Sequence, residues 1–135
     1  MKSCVVKITT TIDGHENSVT KQGEMHLDAL SATLIYKEEN AVVTLTLTNA
    51  VLNIVREGDY SLRLRLEENK LCEGEIGIGG ANGKVSVQTK KLAYSLTKTS
   101  WSLLAQYALL TGGEPQETTI HIQAKFGDIG DNYVN

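Results

Sequence analysis

Arg56 has the most unusual setting of any charged side chain in this sequence. It follows Leu52 and Ile54 at two-residue spacing, and in an extended strand that spacing puts all three residues on one apolar face. Near the mouth of a ligand-binding barrel, an inward guanidinium can fork onto a carboxylate or a phosphate. Alternatively, it serves the protein itself, covering open backbone carbonyls or pairing with Glu57, Asp59 or a more distant glutamate, because buried charge is usually paired internally. Tyr36, Tyr60, Tyr94 and Tyr107 each combine an apolar body with a polar tip. Such side chains either orient a ligand in a cavity or fill the interior of a small barrel. Arg56, Tyr36 and Tyr107 are the candidate ligand-binding residues.

Other chemistries find less support. His15, His26 and His121 are scattered; His26 and Asp28 share a strand face, but no HxxEH or CxxC spacing occurs, so no metal site and no cofactor are expected. The glycines from Gly77 to Gly83 lack the following Lys-Ser/Thr and the helix that a phosphate loop requires. No Ser-His-Asp or Cys-His arrangement can be read from spacing, so no catalytic residues are assigned and the protein is not expected to be an enzyme. Cys4 and Cys72 both fall at inward parity and read as small buried hydrophobes rather than a redox pair. Trp101, at a hairpin tip, is either an exposed contact for another protein or folded back over the barrel end.

The elements that position these residues are strands. Cys4, Val6, Ile8, Thr10 and Ile12 alternate with Val5, Lys7, Thr9 and Thr11, and Asp13-Gly14 then supplies a tight turn that places Val19 opposite Ile8. Gly23 predicts a bulge or sharp bend. The segment 27–32 suggests a helical turn before a strand from Thr33 to Lys37, and Val43, Leu45 and Leu47 form the clearest strand. Asn49-Ala50 leads into a further strand, Val51 to Arg56. Leu62, Leu64 and Leu66 alternate with Arg63 and Arg65, and Glu73 and Glu75 answer them after a polar loop. Setting Arg65 opposite Glu73 and Arg63 opposite Glu75 keeps both faces uniform. Asn82-Gly83 marks the next turn. After Val85 and Val87 the inward parity switches across Thr89-Lys90-Lys91, which predicts a bulge within one long strand. Leu103, Ala105, Tyr107 and Leu109 form the strand before the turn at Thr111–Pro115; Ile120, Ile122, Ala124 and Phe126 face inward on the last.

About eight to ten short strands, joined by hairpins and without a useful amphipathic helix, define an all-β fold: a single antiparallel up-and-down β-barrel. Closure removes the open edges of a long meander. The barrel is expected over residues 1–127, with a loose tail over 128–135. A net charge of −3 and a pI near 5.6 argue against a non-specific nucleic-acid binder, unless Lys90, Lys91 and Lys98 form a local patch. The first residues run directly into a strand pattern, and the longest apolar run, Leu103 to Leu110, contains Gln106. A cytoplasmic protein without membrane contact is therefore expected.

Ile54-Val55-Arg56-Glu57-Gly58 followed by the Leu62–Leu66 alternation resembles the YwiB-like family of small bacterial proteins of unknown function. Tyr36-Lys37-Glu38-Glu39, Gly83, Thr89 before Lys90-Lys91-Leu92, and Tyr107 with Gly112 carry the resemblance over most of the chain. It implies a calycin-like barrel, similar in architecture to lipocalins and streptavidin, and an intracellular location in a bacterium; it implies no activity. The loop Ile78-Gly79-Gly80-Ala81-Asn82 departs from the family by lacking a tyrosine. Two functions fit: a barrel that binds a small, partly apolar ligand, or a filled barrel that acts as a protein–protein scaffold, with a homodimer possible in either case.

Overall fold

The computed structural model describes residues 1–128; the tail expected over 128–135 lies, beyond Asp128, outside the described residues. Ten strands follow one another: β1 (Lys2–Ile12), β2 (His15–Leu27), β3 (Ser31–Glu38), β4 (Ala41–Thr48), β5 (Val51–Gly58), β6 (Tyr60–Glu67), β7 (Leu71–Ile78), β8 (Ala81–Leu96), β9 (Ser100–Leu110) and β10 (Gln116–Phe126). Each pairs antiparallel with its sequence neighbours, and β1 pairs with β10, closing an up-and-down barrel. Among the described residues no helix is long and apolar enough to cross a membrane.

Alternation decides which side chains enter. Along β4, Ala41, Val43, Leu45 and Leu47 are buried, and Leu52 and Ile54 on β5 face Leu47 and Leu45. Val43, Leu45, Leu47, Leu52 and Ile54 join Val6, Leu34, Leu66, Val87, Leu103 and Ile122 in one continuous apolar core. Burying a side chain of this size stabilises the fold by about 1.5–3 kcal/mol. Trp101 belongs to this core: it is fully buried on β9 opposite Ala124, so it is not an exposed contact. With the indole enclosed, its Nε1 has no hydrogen-bond partner among the described residues.

The turns follow from local chemistry, in places against expectation. Asp13 (φ 47°) and Gly14 (φ 85°) form the expected tight turn, and Ile8 faces Val19. Asn49 (φ 51°) and Ala50 (φ 62°) form another such turn, and β5 starts at Val51, as expected. The β7–β8 turn is Gly79-Gly80, with φ of 58° and 84°, while Asn82 and Gly83 lie inside β8, paired with Gly77 and Ile76. Both glycines accept left-handed φ without a Cβ clash, and the pairing of β7 with β8 from Ile78–Ala81 onward fixes the turn there. No helical turn forms over 27–32; β2 ends at Leu27 and β3 begins at Ser31.

Gly23 produces no bulge. Parity and register run unbroken through it, from Lys21 opposite Val6 to Met25 opposite Lys2. Its role is steric: a Cβ there would stand 2.7 Å from the carbonyl oxygen of Ile35. Gly23 is also where β3 begins to pair with β2; Gln22 and the residues before it pair with β1 alone. Ile12 and Val19, although at inward parity, therefore remain more than a third exposed. The bulge predicted in β8 is present, between Thr89 and Lys91, and Leu92 is buried beyond it.

Where β6 and β7 pair, from Tyr60–Ile78 to Arg63–Glu75, the outer ladder has the expected register, with Leu62 opposite Ile76; the pairing ends before Arg65 and Glu73. The ion pairs run elsewhere: Arg63 reaches Glu57 at 3.3 Å, and Arg65 approaches Glu67 at 3.8 Å. The β6–β7 turn closes with the N–H of Lys70 donating to Glu67 at 3.1 Å. That closure is one residue out of step with the Arg63–Glu75 register, so the ladder cannot run straight into the turn.

Candidate binding site at one end of the barrel

Tyr36 on β3, Val43 on β4, Arg56 on β5 and Leu62 on β6 face one another in a single cross-strand row. Directly opposed residues share a face, so Tyr36 and Arg56 sit on the same side of the wall with Val43 between them. Tyr36 packs against the core, whereas Arg56 lies at the rim, where β5 ends.

Three groups surround the Arg56 guanidinium. Nε donates to Glu38 at 3.0 Å, Nη2 meets Asp59 at 2.8 Å, and Nη1 donates to the carbonyl oxygen of Tyr60 at 2.8 Å. The Tyr60 ring covers one face at 3.6 Å. Partial burial opposes the charge, but Asp59 and Glu38 outweigh it and raise the pKa of Arg56 above its ordinary value. In turn Arg56 holds the Asp59 carboxyl below the usual carboxylate range, against a smaller opposing effect of desolvation. All three guanidinium nitrogens are engaged within the chain. Gly58 permits the arrangement: a Cβ there would stand 2.6 Å from the Cα of Ala41 and would overlap the carbonyl of Asn40. Asp59 N–H donates to that same carbonyl at 3.1 Å.

Tyr107 lies deeper, between Thr89 on β8 and Thr118 on β10. Burial pushes its hydroxyl up to about 12. Burial also raises the pKa of Tyr36, helped by the nearby Glu38 and Tyr107 and opposed by Arg56. The fold therefore brings Tyr36, Arg56 and Tyr107 to the same end. Tyr60 and Tyr94 are both more than two-fifths exposed and do not enter the interior; Tyr94 lies on the part of β8 that extends beyond β7.

Thr89 and Thr118 are the site residues that sequence reading missed. Both are buried, and neither Oγ1 has a hydrogen-bond partner among the described residues. Their signal was parity: Thr89 continues Val85 and Val87, and Thr118 precedes Ile120 and Ile122, so each is a polar residue on an apolar stripe. One inward position nearer the rim, Leu109 and Gln116 face each other. With Ile76, Asp13 and Glu114 they line a cleft of about 400 Å³, within the size range of small-molecule pockets. Asp13 also clips the β1–β2 turn to β10, its N–H donating to the Glu117 carbonyl at 2.9 Å and its Oδ1 accepting the Glu117 N–H at 3.1 Å.

The remaining candidates resolve simply. His26 Nε2 lies 3.3 Å from Asp28 on the surface. Among the described residues no three His, Cys, Asp or Glu side chains are grouped as a metal site would need. Both cysteines are free; Cys4 is buried, and desolvation lifts its thiol to about 11, opposed by a backbone hydrogen bond from Gly23. Lys90 is held by Glu117 at 2.9 Å rather than contributing to an open basic patch.

A family model described as a domain of unknown function, DUF1934, matches residues 6–122, which span the barrel from β1 to β10. The chain belongs to the DUF1934 family. The crystal structure of the ywiB protein from Bacillus subtilis is similar, with a TM-score of 0.79, 13% identity, and coverage of 93% of this chain and 92% of that one. At that identity the likeness speaks for a shared fold, the calycin-like barrel. No curated protein is significantly similar to this DUF1934 chain.

Proposed function

We propose that this DUF1934 barrel is a non-enzymatic, cytoplasmic binding protein that holds a small, partly apolar ligand in its interior, reached from the Tyr107 end. The observation that carries this reading is the pair of buried threonine hydroxyls, Thr89 and Thr118, that flank Tyr107 without partners. A buried hydroxyl without a hydrogen bond costs about 1–3 kcal/mol, and a pair of them beside a third buried hydroxyl suits a guest that supplies the missing bonds. The rim cleft, whose Leu109 and Gln116 stand one inward position from Tyr107 and Thr118, offers an apolar body the walls of Ile76 and Leu109. Arg56 belongs to the frame of the site rather than to its recognition surface, because each of its nitrogens already has a partner.

The test is extraction. Wild type and the double variant Thr89→Val/Thr118→Val, produced in the same cells, are purified and their retained small molecules compared by mass spectrometry. A compound enriched in the wild type and lost from the variant is the expected result. Wild type that carries no more small molecule than the variant would sink the reading in favour of a filled scaffold.

A further inference from the structure

β8 has 16 residues and its neighbour β7 has 8, so the two halves of β8 are served differently. Ala81 to Gln88 pair with β7, and the β6–β7 turn adds one more step, where Thr89 exchanges bonds with Asn69 and Lys70. From Lys91 to Leu96, β8 pairs with β9 alone.

The hydrogen-bonding phase of this free edge follows from its hairpin. The N–H of Thr97 donates to the Ser100 carbonyl at 2.9 Å. Bonded pairs recur at every second residue of an antiparallel ladder, so Lys91, Ala93 and Ser95 direct their backbone groups to β9. Leu92, Tyr94 and Leu96 direct theirs away from it, and among the described residues no backbone group meets them. Strand edges are ordinarily guarded by charge, by proline or by a covering element. Leu92 to Thr97 contains neither charge nor proline, and Tyr94 is 43% exposed. The edge of β2 from His15 to Lys21, also without a second strand, carries the charges of Glu16 and Lys21.

The β8 edge is complementary to itself. With a second copy laid antiparallel so that the two Tyr94 residues face each other, Leu92 of each copy faces Leu96 of the other, and Ala93 faces Ser95. A two-fold axis through the tyrosine pair makes the contact self-complementary, and the backbone groups of residues 92, 94 and 96 meet in about six hydrogen bonds. Slipping by one residue in either direction sets Lys90 or Lys98 opposite a leucine. In the centred register these lysines face each other only at its margins, where Glu117 already holds Lys90 at 2.9 Å.

We propose that the edge from Leu92 to Leu96 is a homodimer interface, at which a second copy of this chain pairs antiparallel across Tyr94 and joins the two barrels through one continuous sheet. This goes beyond the interior-binding reading and does not depend on it.

Sedimentation equilibrium of the full-length chain tests it. The mass should rise from 14.7 kDa towards twice that value as concentration is raised. Tyr94→Lys, which sets like charges face to face at an already exposed position, should weaken dimerisation at least tenfold, and Val19→Lys, on the β2 edge, should leave it unchanged. Hydrogen exchange supplies a readout that needs no variant: the amides of Leu92, Tyr94 and Leu96 should slow as the wild-type concentration rises. A monomer at every concentration overturns the proposal, as does a dimer that Tyr94→Lys leaves intact. A dimer abolished by Val19→Lys belongs to the β2 edge instead. Protection of the three amides that is independent of concentration would mean that the edge is covered within one chain, and overturns the second copy as its occupant.

Discussion

The guanidinium of Arg56 lies over the ring of Tyr60, 3.6 Å from its centre, while Nη1 donates to the Tyr60 carbonyl at 2.8 Å. One side chain thus fixes both the ring and the backbone of the residue that opens β6, and through Glu38 it ties the end of β3 to the same point. Arg56→Ala should lower unfolding stability by about 2 kcal/mol, the size expected for charge-assisted bonds to partners that are half exposed. Arg56→Lys should recover less than half, lacking the planar fork. Urea denaturation measures both. Unchanged stability in Arg56→Ala would remove the structural role and return this residue to ligand recognition.

Acid should weaken this corner first. Arg56 depresses the folded pKa of Asp59, so the stabilising contribution is present above the unfolded value, near 3.9, and is lost as pH falls through the folded one. Stability should decline below about pH 4, and Arg56→Ala should flatten that part of the profile. An equal acid slope in both proteins would show that other carboxylates control it.

Alkali acts on the other end of the scale. Burial raises the Tyr107 hydroxyl to about 12 and raises Tyr36 as well. For an acid whose folded pKa is raised, stability is intact below the unfolded value, about 10, and is lost as pH climbs from there through the folded value. Ultraviolet titration of the phenols should show a late component, and Tyr107→Phe and Tyr36→Phe should each remove one group from it. Loss of nothing from the late component in either variant would place these rings in water.

Ala50 sits at φ 62° in a two-residue turn, a conformation costing a residue with a Cβ about 1–2 kcal/mol. Glycine removes that cost and brings back about 0.5–1 kcal/mol of unfolded-state entropy. Ala50→Gly should therefore stabilise the barrel by about 0.5–1 kcal/mol, seen as a higher midpoint in thermal unfolding. A lower midpoint would mean that the turn type differs.

Gly58 is the opposite case. Its φ is ordinary, and what excludes a side chain is the backbone of Asn40 and Ala41 packed against it. Gly58→Ala should cost about 1–3 kcal/mol through forced movement of the β3–β4 turn, with Asp59 losing its bond to Asn40. Wild-type stability in this variant would show that the turn yields freely.

Much of the barrel was legible because alternation is a local signal. The Ile8–Val19 and Arg63–Glu75 pairings follow from parity and one turn each, and the β8 bulge follows from a parity switch. Misreadings arose where residue type and packing disagreed. Gly23 resembles a bulge in sequence, yet its missing side chain accommodates the Ile35 carbonyl from the next strand, a neighbour that no local pattern reveals. Asn82-Gly83 is a stronger turn signal than Gly79-Gly80 read alone; the pairing of β7 with β8 decided between them. Arg56 was correctly placed on the inward parity, but its partners come from the β3 end and from the Tyr60 backbone. Thr89 and Thr118 were overlooked because threonine is at home on either face of a strand.

The seam between β1 and β10 joins Cys4 with Phe126 and continues through nine pairs to Ile12 with Thr118. Closing it brings together segments separated by nearly the whole chain, a slow class of contact in folding. On the ribosome β1 therefore has only β2 as a neighbour until the last strand has emerged. During that interval the edge of β1 that will meet β10 is unpaired, and with the apolar Val5 and Val6 on the strand's two faces it is an edge that other chains can pair with. The step most exposed to aggregation in this protein's life is the wait for its own final strand.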